Sequence, residues 1–435
     1  MNLVVVGSGY VGLVSGACFA ELGSSVICVD SDKEKVRNLK NMIMPIYEPG
    51  LEELVNKNVS SGNLKFSDNL QKSIQNADII FIAVGTPSRP GDGHADLRYV
   101  HQVSREISEN ISKYVLIVNK STAPVGTVKQ ISRIIKETNK EINFDVASNP
   151  EFLREGSAID DFMNPDRIIL GVESERASKL LDELYKPLSD NDVPIIYTNH
   201  ESAEIIKYAS NAFLATKISF INEISNLCEK VGADIKSVSK GMGLDPRIGD
   251  QFLKPGPGYG GSCFPKDTNA LVKICQENGV SSRVVQAAIE ANSAQKSFMV
   301  NKIRTTLNDL NDKKKITFLG LTFKPDTDDM RDSASLSIIP TLIDNGVDIR
   351  AHDPQGLKEA KLYLPKTVKF YEDVYESIHG SDAIVILTEW QEYYELDMQK
   401  VLSLMHSNYL FDFRNIFNQN QMIEYGFKYF SLGRK

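Results

Sequence analysis

The first apolar run, Leu3–Val6, contains no polar residue, so the strand it predicts must be covered on both faces. Gly7-Ser8-Gly9-Tyr10-Val11-Gly12 follows, and a helical stretch over Leu13–Leu22 is stopped by Gly23. Ser25–Val29 predicts a second strand, closing on Asp30. Similar runs at Ile79–Val84, Val115–Asn119 and Phe144–Ser148 are separated by segments of helical period. Strands alternating with helices predict a doubly wound parallel sheet.

From Ile195 to Val231 there is no glycine or proline. Thr198-x-x-Glu201 reads as a capping box and Gly232 as a stop. One helix of roughly 30 residues, about 45 Å long, is expected there. It would link domains or form a dimer seam. Helical pattern resumes over Asp267–Leu310. After a charged linker, Asn311–Lys315, strands are expected at Ile316–Leu319, before Gly320, and at Asp348–His352, before Asp353. Ala77-Asp78-Ile79-Ile80-Phe81-Ile82 and Ser381-Asp382-Ala383-Ile384-Val385-Ile386 form a weak internal repeat. The expected fold class is α/β: two Rossmann-like parallel-sheet domains joined by a central helical region with one long helix. The expected division is 1–198, 199–311 (carrying a cysteine loop) and 312–435.

Composition narrows the function. The chain has 435 residues, 42% apolar, with a net charge of −8 and no block of like charge. That argues against nucleic acid and for a small molecule held by a few placed cations. Five scattered cysteines without a CxxC pair fit free thiols in a reducing cytoplasm. Six dispersed histidines without H-x-x-x-H give no expectation of a metal site. Neither a signal peptide nor a membrane span is expected.

The chemistry starts at the glycines. G-x-G-x-x-G between a strand and a helix lets the backbone approach a pyrophosphate, whose charge the helix N-terminus favours. Asp30, 18 residues past Gly12, is placed for a ribose 2′-hydroxyl, which favours NAD over NADP. Lys33 and Lys35 temper that preference. Val84-Gly85-Thr86-Pro87 and Ser121-Thr122-Ala123-Pro124 follow predicted strands, where ligand crevices form in such sheets. Taken singly, each is also an ordinary turn.

Residues 256–267 read Gly-Pro-Gly-Tyr-Gly-Gly-Ser-Cys-Phe-Pro-Lys-Asp. Cys263 stands before Pro265, which suits the first turn of a helix, and a thiol there gains from the helix dipole. A dehydrogenase of alcohols needs no thiol. One that carries an alcohol to an acid does, because the aldehyde must be held covalently before a second hydride leaves. Cys18, Cys28, Cys228 and Cys275 read as buried structural cysteines. Asp267 either steers a water or merely complements the helix dipole. Lys207 and Asn211 share a helix face; they stabilise an oxyanion or form a solvated face, and spacing alone favours the solvated reading.

These residues resemble the UDP-glucose/GDP-mannose dehydrogenase family. The resemblance rests on Gly7–Gly12, Ser121-Thr122, Asn149-Pro150-Glu151-Phe152-Leu153-Arg154-Glu155-Gly156, Lys207-Tyr208-x-x-Asn211-Ala212-Phe213-Leu214-Ala215, Gly260–Asp267 and Thr322-Phe323-Lys324, and it covers nearly the whole chain. It implies four-electron, NAD-dependent oxidation of a nucleotide sugar through a thiohemiacetal and a thioester on Cys263. Tyr259 and Phe264 resemble the branch that takes UDP-glucose to UDP-glucuronate; GDP-mannose or a UDP-N-acetylhexosamine is the alternative. By resemblance Lys207 stabilises oxyanions, and Asn211 and Asp267 hold the water, near Thr122 and Glu151. Coenzyme contacts are implied at Gly7, Gly9, Tyr10, Val11, Gly12, Asp30, Lys35, Thr86, Pro87, Ser121, Thr122, Glu155, Lys266 and Arg331. Substrate contacts are implied at Glu151, Phe152, Leu153, Lys207, Asn211, Phe252, Lys254, Gly256, Gly258, Tyr259, Gly260, Phe323 and Lys324. Arg247 would reach into a neighbouring subunit, which implies a homodimer or a larger homo-oligomer. The family often has Asp-Gly-Arg where this chain has Asp412-Phe413-Arg414, which puts a substrate role for Arg414 in doubt.

Overall fold

The computed structural model describes residues 1–87, 89, 94–307 and 314–435. Leu310, Asn311–Lys313 and the expected domain edge at 311/312 lie outside the described residues. The chain divides into two compact units, Met1–Ser210 and Asn211–Lys435.

The first unit is built on an eight-stranded sheet. Its strands are β1 (Asn2–Val6), β2 (Ser25–Val29), β3 (Leu64–Ser67), β4 (Ile79–Ile82), β5 (Val115–Asn119), β6 (Phe144–Ser148), β7 (Ile168–Val172) and β8 (Ile195–Thr198). They lie in the order β3-β2-β1-β4-β5-β6-β7-β8. All neighbours are parallel except β6 and β7. Covering on both faces explains the unbroken apolar runs. Leu3, Val5, Phe81, Leu116 and Val118 join one core cluster, while Val4, Val6, Ile80, Ile82 and Ile117 join the other. Each such side chain contributes about 1.5–3 kcal/mol on burial, so neither face tolerates a polar residue.

The second unit carries a six-stranded parallel sheet: β9 (Lys315–Leu319), β10 (Asp348–His352), β11 (Lys369–Tyr371), β12 (Ala383–Ile386), β13 (Tyr409–Asp412) and β14 (Lys428–Ser431). Its order, β11-β10-β9-β12-β13-β14, repeats that of the first six strands of the other sheet. The internal repeat has atomic content. Asp78 Oδ2 accepts from the Asn2 amide at 2.8 Å at the start of β1, and Asp382 Oδ2 accepts from the Lys315 amide at 2.8 Å at the start of β9. Gly7 and Gly320 likewise each donate to the last residue of the neighbouring strand, Val29 and His352.

Some expected boundaries move. The first helix spans Tyr10–Glu21, starting inside the glycine fingerprint rather than at Leu13. β4 ends at Ile82, not Val84. The glycine- and proline-free stretch from Ile195 is not all helix. Ile195–Thr198 is paired with β7, and the long helix runs over the 32 residues His200–Val231. Asn199 caps it, its Oδ1 accepting from the Ser202 amide at 2.8 Å, so Thr198 is not the cap. The pattern after Asp267 resolves into two helices, Phe264–Glu277 and Arg283–Thr306.

Candidate active site

In the first unit the fingerprint forms a cradle for a dinucleotide. A Cβ at Gly12 would fall 1.8 Å from the Gly7 carbonyl oxygen, so only glycine fits, whereas the space beside Gly9 is open to 4 Å. The helix Tyr10–Glu21 has no side-chain cap, leaving its first amides for an anion. Asp30 closes the cradle. Burial alone would raise its pKa. The amides of Asp32 and Ser8, with the Lys35 ammonium 3.0 Å away, outweigh that and hold it below the usual range. An ionised acceptor at the end of β2 suits an NAD ribose. Lys35 reaches this corner as Asp30's partner.

The two loops after β4 and β5 are tied together. The Thr86 hydroxyl donates to the Thr122 carbonyl at 2.5 Å, and the Ser121 hydroxyl donates to the Val84 carbonyl at 2.7 Å. Pro87 adds a bond through its carbonyl, which accepts from the Asp96 amide at 2.8 Å.

Lys207 is buried, against the solvated reading. Its Nζ lies 2.8 Å from Glu151 Oε1, and the two side chains are 4% and 3% exposed. Burial would push Glu151 up. Lys207, by charge and hydrogen bond, and the Leu153 amide at 2.6 Å bring it below the ordinary carboxylate value. The Phe152 ring carries Arg167 at 3.8 Å and Lys207 at 5.4 Å from its centroid. Glu155 is buried at the end of the same loop.

Sequence reasoning missed a second buried ammonium. Lys120, directly after β5, donates to Asn149 Oδ1 at 2.9 Å, and the Tyr185 hydroxyl donates to the same oxygen at 2.6 Å. Desolvation pushes Lys120 down to about 8. Two lysines and one glutamate in dry surroundings leave a surplus of positive charge, which suits a developing oxyanion. The available signal was a lysine directly after a strand whose first four residues, Val115–Val118, are all apolar.

In the second unit Cys263 occupies the N-cap position of Phe264–Glu277, with Pro265 in its first turn. It is half-buried, and its Sγ lies 3.4 Å from the Ser262 hydroxyl. Asp267 is fully buried. Its Oδ2 accepts from Asn211 Nδ2 at 2.6 Å and its Oδ1 from Lys266 Nζ at 2.7 Å. Asp267 is therefore more than a dipole partner, and Asn211 is no solvated residue. Among the other cysteines, Cys18, Cys28 and Cys228 are buried, but Cys275 is only half-buried.

Tight anchoring shapes the segment before Cys263. The Gly256 amide donates to Asn222 Oδ1 at 2.8 Å and the Tyr259 amide to Asn292 Oδ1 at 2.7 Å. Gly258, between them, is buried. Gly261 has φ +83°, its amide donates to the Arg331 carbonyl at 2.7 Å, and a Cβ there would strike the Phe323 ring at 2.7 Å. Gly260 is equally crowded, by the Asp332 carbonyl. These last glycines make room for neighbouring chain. Phe252 and Tyr259 place their rings 6.1 and 6.0 Å from Phe264. Phe252 itself sits at φ +63°, a strained conformation for a bulky residue.

The remaining cations differ in placement. Lys324 lies 5.7 Å from the Phe323 centroid. Arg414 donates to the carbonyls of Leu387 at 2.6 Å and Phe323 at 3.1 Å. Phe413 is wholly buried against Phe411, so the departure from Asp-Gly-Arg fills core without turning Arg414 away from Phe323. Arg331 pairs with Asp329, Arg247 pairs with Asp245 on an exposed turn, and Lys254 is exposed.

A nucleotide cradle at the head of one α/β sheet, a second sheet of the same topology and a cysteine at a helix N-cap define a coenzyme-dependent dehydrogenase. Domain models of the UDP-glucose/GDP-mannose dehydrogenase family match the chain in order: the NAD binding domain at residues 1–189, the central domain at 201–294 and the UDP binding domain at 317–419. The chain belongs to this family and is an NAD-dependent oxidoreductase. It is 48% identical over 436 residues to the UDP-glucose 6-dehydrogenase of Rhizobium meliloti, covering 100% of both chains. It is 48% identical over 434 residues to UDP-glucose 6-dehydrogenase TuaD of Bacillus subtilis, covering 100% of this chain and 93% of that one. Its fold matches that of a UDP-glucose dehydrogenase from Pyrobaculum islandicum, with a TM-score of 0.92, 37% identity and coverage of 100% and 98%. Among the described residues no helix is long and apolar enough to cross a membrane, and no cluster of three metal-ligating side chains occurs.

Proposed function

We propose that the chain oxidises UDP-glucose to UDP-glucuronate, using two NAD per sugar and a covalent link to Cys263. The observation that carries this reading is the buried pair of Asn211, on the long helix, and Asp267, on the helix that Cys263 caps. NAD, when bound, accepts a hydride. After the first oxidation the Cys263 sulfur attacks the C6 aldehyde, giving a thiohemiacetal whose oxyanion needs a cation, the role given to Lys207. Loss of a second hydride leaves a thioester. Water, held by Asn211 and Asp267, then adds to it, and the C–S bond breaks to release the acid and the thiol. Glu151 holds Lys207 in place through their 2.8 Å ion pair, and Thr122 belongs to the same water site in this reading.

The domain division 1–198, 199–311 and 312–435 goes with this proposal, the last part holding the uridine diphosphate through Phe323, Lys324 and Arg414. So does a homodimer to which Arg247 contributes. Support for the dimer comes from Phe213, Phe220 and Leu227, seven residues apart on the long helix and 67%, 46% and 54% exposed. Five scattered cysteines without a CxxC pair support a cytoplasmic setting. The test is stoichiometry: limiting UDP-glucose with excess NAD should give two NADH per sugar. A yield near one sinks the covalent reading, and no NADH points to another nucleotide sugar.

A further inference from the structure

Glu48 lies in Tyr47-Glu48-Pro49-Gly50, a segment to which neither the sequence motifs nor the proposed chemistry gives a role. Its side chain is buried, with the residue only 5% exposed. Oε2 accepts from the Tyr10 hydroxyl and from the Gly156 amide at 2.6 Å, and Oε1 accepts from the Ala158 amide at 2.8 Å. The Gly156 amide also lies 3.2 Å from the Tyr10 hydroxyl oxygen. These partners stand 38, 108 and 110 residues away in the chain.

Both ends of this knot are functional. Tyr10 is the first helical residue of the coenzyme fingerprint. Gly156 closes the loop that begins at Glu151, the partner of Lys207. A buried carboxylate is costly unless its oxygens are satisfied, and here two amides and a phenol satisfy them. Burial, then Glu48 itself, raise the Tyr10 pKa, so the phenol keeps its proton and stays the donor. One side chain thus joins the turn that would seat the coenzyme to the loop that would seat the sugar nucleotide.

We propose that Glu48 is a positioning residue that couples the two ligands: ordering Tyr10 under the coenzyme fixes Gly156, and with it the 151–156 loop. The identity of the second ligand rests on the reading in the previous section. Coupling is reciprocal, so each ligand must change the affinity of the other by the same factor.

The experiment measures NADH affinity by fluorescence with and without saturating UDP-glucuronate, a pair that cannot turn over. The parent should show a change of about fivefold or more. Tyr10→Phe removes the hydroxyl's two contacts, with Glu48 and with the Gly156 amide, and keeps the ring. Glu48→Gln sets an amide NH₂ against a backbone N–H. Both variants should bring the factor close to one. A merely structural Glu48 would weaken binding or folding and leave the factor unchanged, which overturns the proposal, as does a parent factor of one. Should Glu48→Gln not fold, Tyr10→Phe carries the test. A second arm uses NAD alone: hydrogen exchange over residues 151–158 should slow in the parent and not in Tyr10→Phe. Equal slowing in both overturns the tie, whatever the sugar. A parent that passes this arm but makes no NADH from UDP-glucose overturns only the substrate reading.

Discussion

Asn211 Nδ2 donates to Asp267 Oδ2 across 2.6 Å, and neither residue is more than 7% exposed. The amide orients the carboxylate, and Lys266 holds its other oxygen. Asp267→Asn keeps the size but turns an acceptor pair into an amide that cannot take a proton. It should lower turnover by about 10²–10⁴, the usual contribution of a positioned base. Thioester hydrolysis should suffer most, so the protein should accumulate covalently attached sugar nucleotide during turnover. Intact mass under turnover conditions checks this. A slow variant with no adduct would move Asp267 out of the hydrolytic step.

Cys263→Ser tests the nucleophile. A serine at the same N-cap conserves the fold but is far less nucleophilic than a thiolate. UDP-glucuronate formation should fall by on the order of 10³ or more, with NAD affinity unchanged. Chromatographic measurement of product decides it. Formation at the parent rate would remove Cys263 from the chemistry.

Much of this was legible because the governing rules are local. Apolar runs such as Leu3–Val6 need cover on two faces, and the glycines between strand and helix need a phosphate-sized approach. Asp78 and Asp382 stood out as a repeat because each must satisfy the amide at the start of the strand beside it. What stayed hidden depends on partners distant in sequence. Lys207 and Asn211 read as solvated from i,i+4 spacing, since their partners Glu151 and Asp267 are each 56 residues away. Lys120 needs Asn149, and Glu48 needs Tyr10 and Gly156. β8 went unread because Ile195–Thr198 has no breaker between itself and His200, and only pairing with β7 makes it a strand. The resemblance, not the spacing, pointed to Lys207 and Asn211.

Phe213, Phe220 and Leu227 recur at seven-residue spacing, so they share one face of the long helix. Exposed apolar residues at that spacing favour burial against a second copy. Phe220→Glu should convert the proposed dimer to monomer, halving the mass seen by light scattering. Activity should fall with it if Arg247 serves the neighbouring subunit. A variant that keeps the parent mass would exclude this face as the seam.

Lys120 makes the fold depend on alkaline pH in a definite direction. Its ammonium is held near 8 by desolvation, against 10.5 in a free lysine, so between those values the unfolded chain binds more protons than the native one. Stability from this group must therefore rise as pH climbs from about 8 to 10.5, and the burial penalty stands in full below 8. The span is on the order of 3 kcal/mol. Lys120→Met fills the same space without a charge, and Tyr185 still serves Asn149 Oδ1. Urea midpoints from pH 7 to 10 should find the variant gaining most on the parent at pH 7–8. That advantage should shrink steadily as pH rises. A difference independent of pH would mean that Lys120 is not held charged against a dry site.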